Sequence, residues 1–168
     1  AKLNEPWYQG DTVNYGIGQG YTRTSPLQLA VMTARLAAKG AAIFPTVILD
    51  GPQTPPPPAV TGQPLATDDL DPVLQGMFGV SNEPGGTALS AGRLDLGGVQ
   101  MAGKTGTAQV RNISAAERAT GVRKNEDLPW RLRDHALFVG YAPADNPRYA
   151  ISVVVDHGGS GSKDAAPI

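Results

Sequence analysis

A chain of 168 residues with a net charge of −1, only 17% charged side chains and no cysteine lacks the basic footprint of a nucleic-acid binder. The missing cysteine excludes disulfides and thiolate catalysis, and the length suits one domain with a substantial core. No apolar run reaches the roughly 20 residues that span a bilayer, since Gln28 and Arg35 interrupt Leu27 to Ala38, and no signal peptide is visible.

The 21 glycines and 15 prolines concentrate in breakers between periodic segments, which predicts a folded domain with long loops. Residues 1–21 show little periodicity. Their glycine cluster, Gly16-Ile17-Gly18-Gln19-Gly20, lacks the Gly-Lys-Ser/Thr ending of a phosphate loop and follows no apolar strand. It reads instead as backbone packed closely against a neighbouring element. Thr24 or Ser25 then caps a helix with Pro26 in its first turn. Leu27, Ala30, Val31, Ala34 and Ala38 fall on one apolar face, and Gly40 ends it. Ala41 to Val47 reads as a short strand, and Gly51 to Pro64, with Pro55 to Pro58, as a polyproline-like surface connection.

Thr67 to Val80 places Leu70, Val73, Leu74, Met77 and Phe78 at helical spacing, with Asp71-Pro72 able to start a turn. Asn82 to Gly86 breaks the chain, and Thr87 to Ala91 predicts one short helix ended by Gly92. Val99 to Val110 predicts a strand. Arg111 to Arg133 holds nine charged residues and reads as a mobile excursion between strands, with Trp130 either anchoring it or lining a groove. His135 to Ala142 and Arg148 to His157 predict a hairpin by their alternation, turning at Pro143 to Pro147. Asp164 begins a further helix.

Chemistry concentrates in Lys104-Thr105-Gly106-Thr107-Ala108. Gly106 has no Cβ, so a substrate can lie flat against the backbone and pair as an added strand. Lys104 supplies a fixed positive charge suited to a carboxylate or to a serine network. Thr105 and Thr107 offer hydroxyls to the same carboxylate, and the N–H near Thr107 can face a developing oxyanion. A Lys-Thr-Gly strand is one of three signatures of penicillin-reactive serine acyl-transferases. The others, Ser-x-x-Lys and Ser-x-Asn or Ser-Asp-Asn, are not convincingly present. Ser160-Gly161-Ser162-Lys163 matches the first formally, but its flanks are small and polar and it follows the hairpin, so it is rejected as the nucleophile. His135 and His157 each neighbour an aspartate, yet sequence neighbours on a strand face opposite sides. Two histidines without cysteine leave no expected zinc site. Asn112-Ile113-Ser114 is a chance glycosylation triplet.

Several runs resemble, in order, the transpeptidase domain of class B penicillin-binding proteins. They are Gly10-Asp11-Thr12, Gly16 to Gly20, Thr24 to Ala30, Gly85-Gly86-Thr87-Ala88, Met101 to Gln109, Phe138 to Pro143, His157-Gly158-Gly159 and Ala165 to Ile168. The glycine cluster, Asp145-Asn146-Pro147 and His-Gly-Gly most resemble the elongation branch, penicillin-binding protein 2. The resemblance covers residues 1–168 as the C-terminal portion of that domain, without its nucleophile-bearing portion. It implies an α+β fold, an antiparallel sheet flanked by helices, with Lys104 and Thr107 catalytic and Thr105 and Gly106 substrate-binding. It also implies D,D-transpeptidation of peptidoglycan stem peptides through a serine acyl-enzyme, acylation by β-lactams, and no metal or cofactor. Expected partners are stem peptides, β-lactams, the other half of the domain and a membrane glycosyltransferase of the elongation machinery. The expected location is the periplasmic face of the bacterial inner membrane, anchored by a segment outside this chain. A serine β-lactamase or DD-carboxypeptidase fragment, or a non-catalytic scaffolding piece of the cell-wall machinery, remain alternatives.

Overall fold

A computed structural model describes residues 6–18, 23–46, 67–94 and 96–168. Among these residues four α-helices, α1 (Gln9–Gly16), α2 (Pro26–Ala37), α3 (Thr67–Asn82) and α4 (Ala115–Thr120), accompany three strands, β1 (Ala102–Ala108), β2 (His135–Ala142) and β3 (Tyr149–Val155). The strands form an antiparallel sheet in the order β1-β2-β3, so among the described residues β1 is an edge. Thr105 stands opposite Phe138 and Gly106 opposite Leu137, and β2 continues into β3 with Ala142 opposite Tyr149.

Directly opposed residues share a face, and the two faces are covered by different elements. Ala102 and Tyr141 pack with Met77, Leu74 and Phe78 of α3 and Leu36 and Ala37 of α2. On the other face Ala136 and Phe138 pack with Ala88, Met101, Ala165 and Ala166. Ala165 closes the π-helical turn Gly161–Ala165. The expected α+β architecture, an antiparallel sheet between helices, is therefore the one observed.

Ser25 caps α2 as the sequence indicates. Its Oγ accepts from Gln28 N–H at 3.3 Å, and Gln28 Oε1 accepts from Ser25 N–H at 2.8 Å, a reciprocal capping box. Beyond the helix Lys39 and Gly40 both take left-handed φ, 52° and 87°. The buried stripe differs from the expected one. Leu27 is 57% exposed, while Thr33 is fully buried because its hydroxyl donates to the Leu29 carbonyl at 2.8 Å. In α3, Leu70 and Met77 are buried as expected, Val73 is exposed, and Pro72 lies inside the helix rather than opening a turn.

Four expectations are corrected. Residues 41–46 form no strand; the Arg35 Nε donates to the Ile43 carbonyl at 3.0 Å, tying the segment to the helix it follows. Thr87 to Ala91 makes turns, not a helix, held by Gly92 N–H on the Ala88 carbonyl at 2.6 Å. α1 appears where the pattern is silent, because it buries none of its residues and leaves no apolar stripe. At Gly10, Gly16 and Gly18 a side chain would meet open space, so these glycines are not close-packed. The proline-rich stretch from Gly51 to Pro64 lies outside the described residues.

The excursion from Arg111 to Arg133 contains α4 and two 3-10 turns, Asn125–Asp127 and Trp130–Leu132. Arg111 forks onto Glu117 with two 2.7 Å hydrogen bonds, and Leu128 is buried. Trp130 meets the His157 ring edge-on, centroids 4.4 Å apart, while remaining 59% exposed. It anchors the excursion to the end of β3.

Candidate active-site strand

β1 is set by its two ends. At the start, Asn82 Nδ2 donates to both the Phe78 and Met101 carbonyls at 2.8 Å, which pins the end of α3 to the residue before the strand. Gly103 faces Phe138 so closely that a Cβ would sit 2.8 Å from the Val139 carbonyl oxygen and closer still to the Phe138 ring. Packing therefore dictates that glycine. At the far end Val110 N–H reaches Asp134 Oδ1 at 3.4 Å.

Between these ends the four singled-out residues lie side by side on the free edge, but not on one face. Lys104 and Gly106 share the face of Val139 and Leu137, and Thr105 and Thr107 share that of Phe138 and Ala136. Lys104 and Thr107 are exposed, Thr105 and Gly106 half-buried. The Lys104 ammonium donates to the Thr105 carbonyl at 2.8 Å, and among the described residues no carboxylate pairs with it. Its charge is available to an anion. The two threonines thus stand on one face of the edge and the lysine on the other.

Gly106 contrasts with Gly103. A Cβ there would meet only the Leu137 Cβ, at 3.4 Å, an ordinary contact. Among the described residues nothing requires glycine at 106.

Sequence reasoning missed Thr87. Its Oγ1 lies 2.9 Å from Thr105 Oγ1, a pairing across 18 residues that no local pattern announces. The only prior signal was its place in Gly85-Gly86-Thr87-Ala88.

The rejected motifs behave differently from one another. Ser160 Oγ pairs with Ser162 Oγ at 3.0 Å, and Lys163 is exposed, so no serine–lysine dyad is built there. The histidines do meet, though across the hairpin and not with their sequence neighbours. His135 Nδ1 accepts from His157 N–H at 3.0 Å, and His157 Nδ1 donates to the Arg133 carbonyl at 2.8 Å. Asp156 Oδ1 lies 3.4 Å from His135 Nδ1. With His157 in left-handed backbone at φ 55°, the arrangement is a corner lock at the end of the sheet. Among the described residues no group of three potential ligands could hold a metal. A cavity of about 830 Å³ is lined by Lys39, Asp71, Leu74, Phe78, Tyr141 and Asp145, among others, and by none of residues 104–107. Among the described residues no helix is long and apolar enough to cross a membrane.

Known proteins resemble this arrangement along its whole length. The family described as the penicillin binding protein transpeptidase domain matches residues 1–168. Peptidoglycan D,D-transpeptidase MrdA of Salmonella typhimurium is 37% identical over 169 residues, which cover 96% of this chain and 26% of that protein. The chain thus spans about a quarter of the length of such relatives. Pseudomonas aeruginosa PBP2, solved in complex with WCK 5153, superposes with a TM-score of 0.72 at 40% identity, covering 99% of this chain and 32% of that one. Helicobacter pylori PBP2, solved with MreC, gives 0.73 at 31% identity, covering 96% and 26%.

Proposed function

The chain belongs to the penicillin-binding protein transpeptidase domain family, and from that premise we propose that it is the Lys-Thr-Gly wall of a peptidoglycan D,D-transpeptidase of the MrdA (PBP2) kind. The observation that carries this reading is an edge strand bearing a Lys104 ammonium that no described carboxylate pairs, two hydroxyls at Thr105 and Thr107, and a glycine at 106 that packing among the described residues does not demand.

A serine outside residues 1–168 supplies the nucleophile. A stem peptide ending in D-Ala-D-Ala lies along β1 as an added strand, its flank against Gly106. The serine oxygen attacks the penultimate alanine carbonyl, the peptide bond breaks, and the terminal alanine departs with a proton. An amine of a second stem peptide then attacks the ester, forming the cross-link amide and freeing the serine. Thr105 and Thr107 hold the terminal carboxylate by hydrogen bonds, and Lys104 stabilises charge in the serine network. The N–H near Thr107 faces the developing oxyanion. A β-lactam enters the same way, with its ring C–N bond breaking in place of the peptide bond.

The rest of the domain and stem peptides are the first partners. An MreC-like protein follows by analogy with the Helicobacter pylori relative, and a membrane glycosyltransferase of the elongation machinery completes the assembly. The place of action is the periplasmic face of the inner membrane, reached through an anchor outside residues 1–168.

The test is Lys104→Ala in the longer protein that carries the serine. Removing one preorganised electrostatic group costs on the order of 100-fold in rate, about 2.7 kcal/mol, while an exposed side chain contributes within about 0.5 kcal/mol to stability. Second-order acylation by labelled penicillin should therefore fall about 100-fold or more with the melting temperature nearly unchanged. Equal rates would remove Lys104 from the site.

A further inference from the structure

We propose that Thr87 is a positioning residue that sets the hydroxyl of Thr105 for the substrate carboxylate. The inference rests on the function proposed above and assigns a role within that site to a residue that forms no part of β1.

The geometry is a 2.9 Å contact between Thr87 Oγ1 and Thr105 Oγ1 in which either oxygen can be the donor. A hydroxyl has one hydrogen to give and two lone pairs to receive with. Once Thr105 spends its hydrogen on a carboxylate, the hydrogen between the two threonines must come from Thr87. The loaded site then holds a chain from Thr87 O–H to Thr105 O–H to carboxylate, each bond polarising the next. Thr87 thereby selects the Thr105 rotamer and strengthens it as a donor.

The loop carrying Thr87 is built to hold that position. Ala88 is fully buried in the core beside Met101 and Phe138, and its N–H donates to the Val80 carbonyl at 2.9 Å. On the other side Gly86 lies so close to the Gly79 and Val80 carbonyls that a Cβ there would collide with backbone. Gly86 N–H donates to the Glu83 carbonyl at 2.9 Å, and Gly85 takes a left-handed φ of 88°. Thr87 itself is exposed. It is thus a solvent-facing hydroxyl between two packed neighbours, aimed at the middle residue of the Lys-Thr-Gly triplet. A loop needed only for packing would not require an oxygen at that position.

The experiment uses the longer, serine-bearing protein with Thr87→Val, Thr87→Ser, Thr105→Val and the Thr87→Val/Thr105→Val pair. The probes are a labelled penicillin and its methyl ester. Losing one net hydrogen bond of about 1 kcal/mol corresponds to about fivefold in affinity. Thr87→Val should raise the half-saturating penicillin concentration about fivefold while Thr87→Ser restores it. It should have no such effect with the ester, and none beyond that of Thr105→Val in the pair. Parental behaviour of Thr87→Val overturns the proposal, as does equal loss with acid and ester, or additive loss in the pair. Failure of the unsubstituted protein to be acylated at all contradicts the proposed function itself, and the role of Thr87 falls with it.

Discussion

Gly103 and Gly106, three positions apart on one strand, answer to different demands. Gly103 is fixed from within, because a methyl would press on the Phe138 ring and the Val139 carbonyl. Overpacking of that kind costs about 2 kcal/mol. Gly106 has room for a methyl, so Gly106→Ala should change stability by no more than about 0.5 kcal/mol. In the longer protein it should still slow penicillin acylation about tenfold or more, by lifting the ligand off the strand, a loss of about 1.4 kcal/mol. Urea unfolding beside acylation rates separates the two glycines, and equal destabilisation by both substitutions would contradict this division. Lys104 to Thr107 stand out in the sequence as a candidate run because their chemistry is local to four consecutive residues. The Thr87–Thr105 pair and the Asn82 bridge to Met101 do not, since each joins residues 18 or more apart that only the folded sheet brings together.

Among elements, those with a strict period were readable: α2, α3 and the β2–β3 hairpin stand where apolar spacing puts them, although burial follows that spacing only in part, with Leu27, Val73 and Ile151 exposed. The excursion after β1 was not readable, because much of its order comes from ionic and capping contacts that carry no apolar period. Ser114 caps α4 by accepting from Glu117 N–H at 3.1 Å, and the Arg111 fork holds the Glu117 carboxyl down to about 2, with Arg123 N–H adding to it. A carboxyl lowered in the folded state stabilises above its ordinary value near 4.5, and that contribution is lost as pH falls toward about 2. Amide exchange of residues 111–124, corrected for intrinsic rates, should therefore rise between about pH 4.5 and 2. In Glu117→Gln it should already be high at neutral pH, with no step in that window. A step of the same size in both forms would place the order of α4 elsewhere.

At the scale of the molecule, the fold class was legible from alternating and helical periods together, but which surfaces stay uncovered was not. α1 buries none of its residues. Trp7, Tyr8, Val13, Tyr15 and Ile17 are each more than half exposed, with Trp7 resting edge-on against Tyr15 at 6.1 Å. The outer edge of β1 carries no strand among the described residues. Uncovered apolar surface of this kind marks a place where other polypeptide or ligand sits, in keeping with a chain that spans about a quarter of its relatives. These residues, as proposed above, form one wall of a serine acyl-transferase site whose nucleophile lies on other polypeptide. Covalent acylation needs an activated serine beside its base, and Ser160, paired with Ser162, has no such arrangement. Intact mass after incubation with labelled penicillin decides it, measured on the 168-residue chain and on the longer protein. The expected result is no adduct on the chain alone, and a stoichiometric adduct on the longer protein at a serine outside residues 1–168. A stoichiometric adduct on the isolated chain, above all one mapped to Ser160, would contradict it.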